Sequence, residues 1–211
     1  MIKQYLVMKL WDIFRKIRLW FYKKQIKCDS KNLQRTIICN NCLGGLLYHD
    51  YNMKFDSPFI NLMIPTPQYV DLLRNIEKIE TFRLIDITPN GHRYPIGLLD
   101  SKYELHFMHY NSFKEAKEKW ENRVKRIDFK KMYVILVETH SSHYQDLVNF
   151  DNLPFKNKII VAHKLYPDIK SAISVKDYDG KNLNGEILWP MNRWGKTKYD
   201  QIDWLSFFNF R

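Results

Sequence analysis

Short apolar runs alternate with segments of helical spacing along most of the chain. Uninterrupted apolar runs are typical of strands, and strands are predicted at 36–39, 58–63, 82–87, 96–99, 103–108, 132–137 and 158–162. Apolar residues spaced three and four apart predict helices at 45–51, at 66–80 and from 112 to about 127. Strands that alternate with helices indicate a layered α/β domain with a mostly parallel sheet, in which 96–108 forms an antiparallel hairpin insertion.

The first 30 residues are predicted to be a separate unit, a basic amphipathic helix with a linker, ahead of a single α/β domain at 31–211. Apolar side chains recur at helical spacing in this helix: Leu6, Leu10, Ile13, Phe14, Ile17, Trp20 and Phe21. A basic helix of this kind is suited to peripheral contact with a membrane surface through residues 1–28. Packing on the domain or on a second copy of the chain explains the same pattern.

The positive charge of the chain is concentrated at its N-terminus. Residues 1–28 carry eight basic side chains and one acid, a charge of +7 out of a total of +11. The body is therefore only mildly basic, and a nucleic-acid groove through it is not expected. No apolar stretch is long enough to span a membrane, and the N-terminus does not read as a secretory signal. The expected location is the cytoplasm, including the inner face of the membrane.

The strongest candidate for a binding site is the turn that follows the first predicted strand. Asn40 and Asn41 offer amide groups there, and Gly44 and Gly45 would allow a ligand to approach the backbone at a helix N-terminus. A tight structural turn is the plain alternative. Because neither a GxGxxG nor a GxxxxGK[ST] pattern is present, the cofactor stays unknown.

Cys42 is a candidate nucleophile, since a thiol at a helix N-terminus has a lowered pKa. Packing of a small side chain is the alternative for Cys42, and more so for Cys39, which lies within the apolar run. The two form a CxxC pair, but no second Cys or His pair accompanies it, so no metal site is predicted. Three cysteines, an odd number, do not indicate a disulfide framework.

Two histidines and two arginines complete the set of candidate residues. His106 and His109 lie at the end of a predicted strand, where either could be a general acid or base, or a histidine without a catalytic role. Arg123 and Arg126 lie three residues apart on one helix face and could clamp a phosphate or carboxylate. A solvated helix end with favourable charges explains the arginine pair equally simply.

With these residues in view, the chain resembles a bacterial family known as DUF1919, often labelled exopolysaccharide biosynthesis protein and in part acyltransferase. The resemblance covers roughly residues 35–165 and rests on Ile38-Cys39-Asn40-Asn41-Cys42-Leu43-Gly44-Gly45 with Tyr48, Ser57-Pro58-Phe59, Pro65-Thr66-Pro67-Gln68-Tyr69, Tyr94-Pro95-Ile96-Gly97-Leu98-Leu99, Glu104-Leu105-His106-Phe107-Met108-His109-Tyr110, and Glu115-Ala116-Lys117-Glu118-Lys119-Trp120 with Arg123 and Arg126. Family members commonly have an aromatic residue where this chain has Leu43, which weakens a stacking role for that position. The N-terminal helix lies outside the resemblance.

The resemblance implies a compact α/β fold and a part in capsule or exopolysaccharide pathways. The leading hypothesis is an enzyme that transfers a group, for example an acyl group, to a glycan or its activated precursor. The glycan or the activated sugar or acyl donor would bind at the Asn40–Gly45 turn. A second hypothesis is a non-catalytic binding or assembly protein of the same pathway. A third is a nucleic-acid or anionic-membrane binder that acts through its N-terminal tail.

Overall fold

A computed structural model describes residues 2–26, 33–179, 186–188, 194 and 196–210, with only the backbone described at 2–9 and 12. The predicted linker lies largely outside these ranges. The described helices are α1 (Ile2–Lys24), α2 (Leu43–Asp50), α3 (Thr66–Leu73), α4 (Phe113–Val124), α5 (Tyr144–Asp151) and α6 (Trp204–Phe207). The described strands are β1 (Thr36–Cys39), β2 (Leu84–Asp86), β3 (Ile96–Leu99), β4 (Tyr103–His106), β5 (Met132–Val137), β6 (Lys158–Ala162) and β7 (Ala172–Ser174).

The strands form two sheets. The larger sheet is parallel and has the order β1-β5-β6-β7, whereas β2, β3 and β4 form an antiparallel sheet. The prediction of a mixed α/β fold with a mostly parallel sheet and an antiparallel hairpin insertion is therefore confirmed. A parallel sheet brings the carboxyl ends of its strands to one edge, which is the edge where ligands bind in open α/β folds.

Both faces of the parallel sheet are covered at β1, β5 and β6, which explains why these strands read as nearly continuous apolar runs. Alternate side chains enter two cores: Ile38, Val134 and Leu136 face one, and Ile37, Ile135 and Val137 face the other. The first core contains α3, α4, α5 and the antiparallel sheet. The second contains α2, α6 and the C-terminal aromatic residues. A one-residue shift in register would exchange these two sets of side chains.

The strand predicted at 58–63 is wrong. The segment is almost entirely buried, but its only described pairing is an isolated antiparallel bridge between Met63 and His106. Asn61 has a φ of 57°, a left-handed conformation that interrupts an extended chain. The helix predicted at 66–80 is also shorter than expected, since α3 ends at Leu73 and a 3₁₀ helix follows at Ile76–Thr81.

The helix α1 packs on the body through one face. Arg15 pairs with Asp50, and Arg18 with Asp200 at 2.6 Å. Tyr22 packs against the core that contains α2 and α6. No helix in the described ranges is both long enough and apolar enough to cross a membrane.

Candidate functional site at the carboxyl edge of the parallel sheet

The predicted turn lies where β1 ends, at the edge expected for a ligand. Asn40 and Asn41 are both 1% exposed. The Asn40 side chain spans to the neighbouring strand: Nδ2 donates to the Val137 carbonyl at 2.9 Å, and Oδ1 accepts from the Val137 N–H at 2.8 Å. These two bonds extend the β1–β5 pairing by one step, so the amide of Asn40 is engaged in holding the sheet together.

Asn41 lies just before the N-cap of α2 and keeps a spare donor. Its Oδ1 accepts from the Leu43 N–H at 3.0 Å and from the Cys39 thiol at 3.4 Å. Its Nδ2 is buried and has no hydrogen-bond partner among the described residues. A buried amide nitrogen without a partner costs free energy, so Asn41 is the residue of this turn best placed to donate to a bound group.

The two glycines serve close packing. A Cβ on Gly44 would lie 2.9 Å from Cys39 Cβ, and a Cβ on Gly45 would lie 2.8 Å from Asn61 Oδ1. Both glycines are buried. The helix α2 thus lies flat against β1 and the segment 59–61, and a ligand could touch either glycine only if that segment moved.

The cysteines of the turn are poor nucleophiles in this structure. Burial raises the pKa of Cys42 to about 11 and that of Cys39 to about 12. The Cys42 thiol is 5% exposed and lies 3.9 Å from the Leu62 carbonyl. Both thiols are free, and both are neutral at physiological pH. Whatever the helix N-terminus contributes, desolvation of the thiolate dominates.

The two predicted histidines lie in and just after the antiparallel sheet. His106 Nε2 is 3.5 Å from Glu104 Oε2, Nδ1 has no described partner, and burial lowers the pKa of the ring. His106 is linked to the turn through the backbone, because it pairs with Met63 and the next residue, Ile64, donates to the Asn40 carbonyl. His109 is exposed in a turn after β4.

The predicted arginines lie at the opposite end of the parallel sheet. Arg123 donates to the Tyr110 hydroxyl at 2.9 Å, and Arg126 donates to the Phe55 carbonyl at 3.3 Å. Asp128, two residues beyond Arg126, donates its N–H to Thr36 Oγ1 at the start of β1. The structure therefore places this pair near the amino ends of the strands, and does not bring it to the Asn40–Gly45 turn.

A second group of side chains meets at the same carboxyl edge, and sequence reasoning missed it. Glu138 follows β5 directly and is 5% exposed. Its Oε1 accepts from the Tyr166 hydroxyl at 2.6 Å, and its Oε2 accepts from the His163 N–H at 3.0 Å. The same Oε2 lies 2.8 Å from His163 Nδ1, within ion-pair range, although the ring is turned away from ideal hydrogen-bond geometry. Burial and the neighbouring Glu138 carboxylate together raise the pKa of Tyr166.

The orientation of His163 is the feature that matters chemically. Nδ1 is buried against Glu138, whereas a third of the side chain is exposed. Of the two ring nitrogens, only Nε2 can therefore face a ligand. A buried carboxylate 2.8 Å from one ring nitrogen can fix the position of the imidazole, and a positioned imidazole is the usual form of a general base. Lys164 and Tyr144 lie close by, each in contact with Tyr166.

Hydroxyl groups from two segments line the same edge beside β5. Thr66 Oγ1 is 2.7 Å from Ser142 Oγ, and Thr139 Oγ1 is 2.9 Å from Ser141 Oγ. Thr66 is the first residue of α3, so these hydroxyls lie near a helix N-terminus. Ser141 and Ser142 are partly exposed, and both can donate or accept. Across the described residues, no three side chains of His, Cys, Asp or Glu converge in a way that could hold a metal ion.

A signal for the Glu138–His163 pair was present in the sequence. Each residue directly follows a buried apolar run, and these runs form adjacent parallel strands. Polar residues at such positions meet at one edge whenever the two runs are neighbours. The neighbour relationship itself is not visible in the sequence, because 25 positions separate the two residues.

Comparison with known proteins identifies a family and a relative of this chain. The model of a family described as a domain of unknown function, DUF1919, matches residues 13–209. An uncharacterized protein of Haemophilus influenzae is 36% identical over 204 residues, which are 93% of this chain and 98% of that protein. The match begins inside α1, so the expectation that the N-terminal helix lies outside the family region is wrong. The chain belongs to the DUF1919 family.

Proposed function

We propose that the protein is an enzyme that transfers a group, such as an acyl group or a sugar, to a hydroxyl of a bacterial surface glycan or of its activated precursor. His163 is the general base in this proposal, and Glu138 is the residue that positions it. The observation that carries the proposal is the buried carboxylate behind a part-exposed imidazole at the carboxyl edge of the parallel sheet.

The reaction conserves atoms and charge without a metal or a redox partner. The acceptor hydroxyl oxygen forms a bond to the reacting carbon of the donor, a thioester carbonyl carbon or an anomeric carbon. The bond from that carbon to the leaving group breaks, and the leaving group takes the electron pair. The hydroxyl proton moves to His163 Nε2, while the Glu138 carboxylate faces the other ring nitrogen and keeps the ring in position. A thiolate or phosphate leaving group carries the negative charge away, after which the imidazolium returns its proton to solvent.

The surroundings of His163 are compatible with a polyhydroxylated substrate. The edge presents the hydroxyls of Ser141 and Ser142, and the spare amide donor of Asn41 is buried beneath it. Such groups recognise sugars by hydrogen bonds that replace those made by water. In this arrangement the turn after β1 acts as a wall of the site, and Cys42 takes no part in the chemistry.

The packed turn favours a second candidate function, a binding or assembly protein of the same pathway without catalysis. Asn40 is engaged with β5, both glycines are buried, and the pKa of Cys42 is raised to about 11. These are properties of a structural turn. This candidate differs from the first in giving His163 no role in turnover.

We place the reaction in the cytoplasm, with the protein peripheral at the inner face of the membrane. Activated sugars and acyl thioesters are cytoplasmic donors, and lipid-linked glycan precursors lie at that face. The basic character of residues 1–28 supports this placement, because anionic lipids attract such segments.

The test begins with a thermal-shift screen of the full-length chain against nucleotide sugars and acyl-coenzyme A compounds. A stabilising donor is then used in a transfer assay with glycan acceptors. We expect His163→Gln to lower the transfer rate by about 10²–10⁴-fold while the donor still stabilises the protein. His140→Gln is the matched control, since His140 is an exposed histidine in the loop after β5. Equal rates for His163→Gln and the wild-type chain would rule out His163 as the base, and binding without transfer in the wild type would favour the second candidate.

A further inference from the structure

The docked position of α1 leaves its apolar side facing solvent. Five large hydrophobic side chains on this helix are between 47% and 55% exposed: Leu10, Ile13, Ile17, Trp20 and Phe21. They recur at intervals of three, four and one residues, so they form one stripe along the helix. We call these five residues the outer stripe. They are five of the eleven exposed large hydrophobic side chains among the described residues, and the other six are scattered over the body.

The helix does not need this stripe for its own docking. Arg15 and Arg18 on the opposite side bind Asp50 and Asp200. Phe14 packs edge-on against Trp194, with ring centroids 4.8 Å apart. The orientation of α1 is therefore set by ion pairs and aromatic contacts of its inner side, and the apolar surface of the outer stripe faces solvent.

Exposed lysines lie beside the stripe. Lys16, Lys23 and Lys24 are exposed; by helical spacing Lys24 lies within the stripe, and Lys16 and Lys23 lie along one edge of it. Lys24 Nζ is 3.6 Å from the centre of the Trp20 ring. Asp12 is the only acidic residue among the first 28. A hydrophobic stripe with a cationic border is complementary to an anionic lipid surface. Trp20 also has the amphipathic ring that is favoured at the headgroup boundary.

We infer that the outer stripe is a membrane-docking surface, which holds the folded protein on an anionic bilayer with α1 parallel to the membrane plane. The stripe enters the boundary between headgroups and acyl chains, and the three lysines contact lipid phosphates. This surface would hold the protein at the inner face of the membrane, and the inference rests on the proposed function only for that location. A second copy of the chain is a poorer occupant, because two stripes face to face would bring together two segments that each carry a net charge of +7.

Vesicle co-sedimentation of the full-length protein tests the inference. The vesicles are phosphatidylcholine alone or phosphatidylcholine with 30% phosphatidylglycerol, a composition chosen to supply about one anionic headgroup in three. We expect binding to the anionic vesicles that weakens as salt is raised, and weak binding to the neutral ones. Ile13→Gln with Ile17→Gln removes apolar surface from the middle of the stripe, and the double variant should bind anionic vesicles at least tenfold more weakly. Replacing Lys16, Lys23 and Lys24 together by Gln should cost at least tenfold on anionic vesicles and change little on neutral ones, since each lysine contributes up to about fivefold.

Leu165→Gln is the matched control, because Leu165 is 71% exposed but stands on the body away from α1. It should bind vesicles as the wild-type chain does. All the replaced side chains are exposed, so unchanged thermal melting of each variant checks that the fold is intact. Equal binding of the wild-type chain and the Ile13/Ile17 variant would overturn the inference. The inference would also be overturned if the wild-type chain formed a concentration-dependent dimer that does not bind vesicles and that this variant abolishes.

The two proposals can fail separately. His163→Gln should retain full vesicle binding, whereas the Ile13/Ile17 variant should retain transfer between soluble donor and acceptor. Loss of both properties in either variant would contradict the division between the carboxyl edge and the outer stripe.

Discussion

Replacement of Gly44 by alanine tests whether the glycine pair serves packing or ligand approach. The new Cβ would lie 2.9 Å from Cys39 Cβ and 3.6 Å from the Phe59 carbonyl oxygen. Cys39 Cβ is bonded to the backbone at the end of β1, which is paired with β5, and cannot rotate away. The helix α2 must therefore shift outward by several tenths of an ångström. Overpacking of this kind costs about 1–3 kcal/mol.

An opposing effect sets the sign of the outcome. Alanine is favoured over glycine within a helix by up to about 1 kcal/mol, so an unobstructed Gly44→Ala variant would be more stable than the wild type. With the clash included, we expect a net loss of about 1–2 kcal/mol in the free energy of unfolding. The assay is urea denaturation followed by tryptophan fluorescence and far-ultraviolet circular dichroism.

A double-mutant cycle with Cys39 locates the strain. Cys39→Gly removes the atom that the new methyl group meets, so it should recover about 1 kcal/mol or more of the loss caused by Gly44→Ala. Cys39→Ala keeps that atom and should recover none. A Gly44→Ala variant as stable as the wild type, or an equal loss in both Cys39 backgrounds, would refute the packing explanation and return the turn to its role in ligand approach.

Three further predictions follow from other contacts. Asn40→Ala leaves the N–H and the carbonyl of Val137 buried without partners and should lower the free energy of unfolding by about 2–5 kcal/mol, measured by urea denaturation; a loss below 1 kcal/mol would mean that water replaces the amide. In a Cys28→Ser background, the rate at which iodoacetamide labels Cys42 should rise about tenfold per pH unit from pH 8 to pH 10, because a pKa near 11 keeps the thiol protonated; a plateau near pH 7 would restore it as a candidate nucleophile. Arg15→Met removes the cationic partner of the buried Asp50 carboxylate, which still accepts from the Tyr199 hydroxyl, and should cost about 1.5–3 kcal/mol; an unchanged melting temperature would show that the ion pair does not hold α1 to the body.

Much of the local structure is determined by the sequence pattern. The predicted strand at 36–39 coincides with β1, and the runs at 132–137 and 158–162 coincide with β5 and β6. Such strands can be recognised in the sequence because a strand that is covered on both faces consists almost entirely of apolar residues. The helix cap at Ser112, which accepts from the Glu115 N–H at 3.2 Å, was also predictable because it involves residues three apart.

Tertiary structure decided what the residues near the site do. The pattern Asn-Asn-Cys-Leu-Gly-Gly is compatible with an open ligand turn or a packed one, and only the segment 59–61 lying over it selects the packed form. That segment was read as a strand from its apolar run, because hydrophobicity reports burial and says little about the backbone conformation that achieves it. The pairing of Glu138 with His163 depends on which strands are neighbours, a non-local property that no window of sequence contains.

The same division holds for α1. Its helical spacing and its basic charge were determined by the sequence alone, as was the existence of an apolar side. The sequence did not determine which side would pack on the body, because aliphatic residues are ordinarily buried and the aliphatic side was the expected one. Here Arg15 and Arg18 meet buried carboxylates of distant segments and turn the helix, so that the outer stripe faces solvent. Ion pairs between residues more than 30 positions apart decide that orientation, and they exist only once the chain has folded.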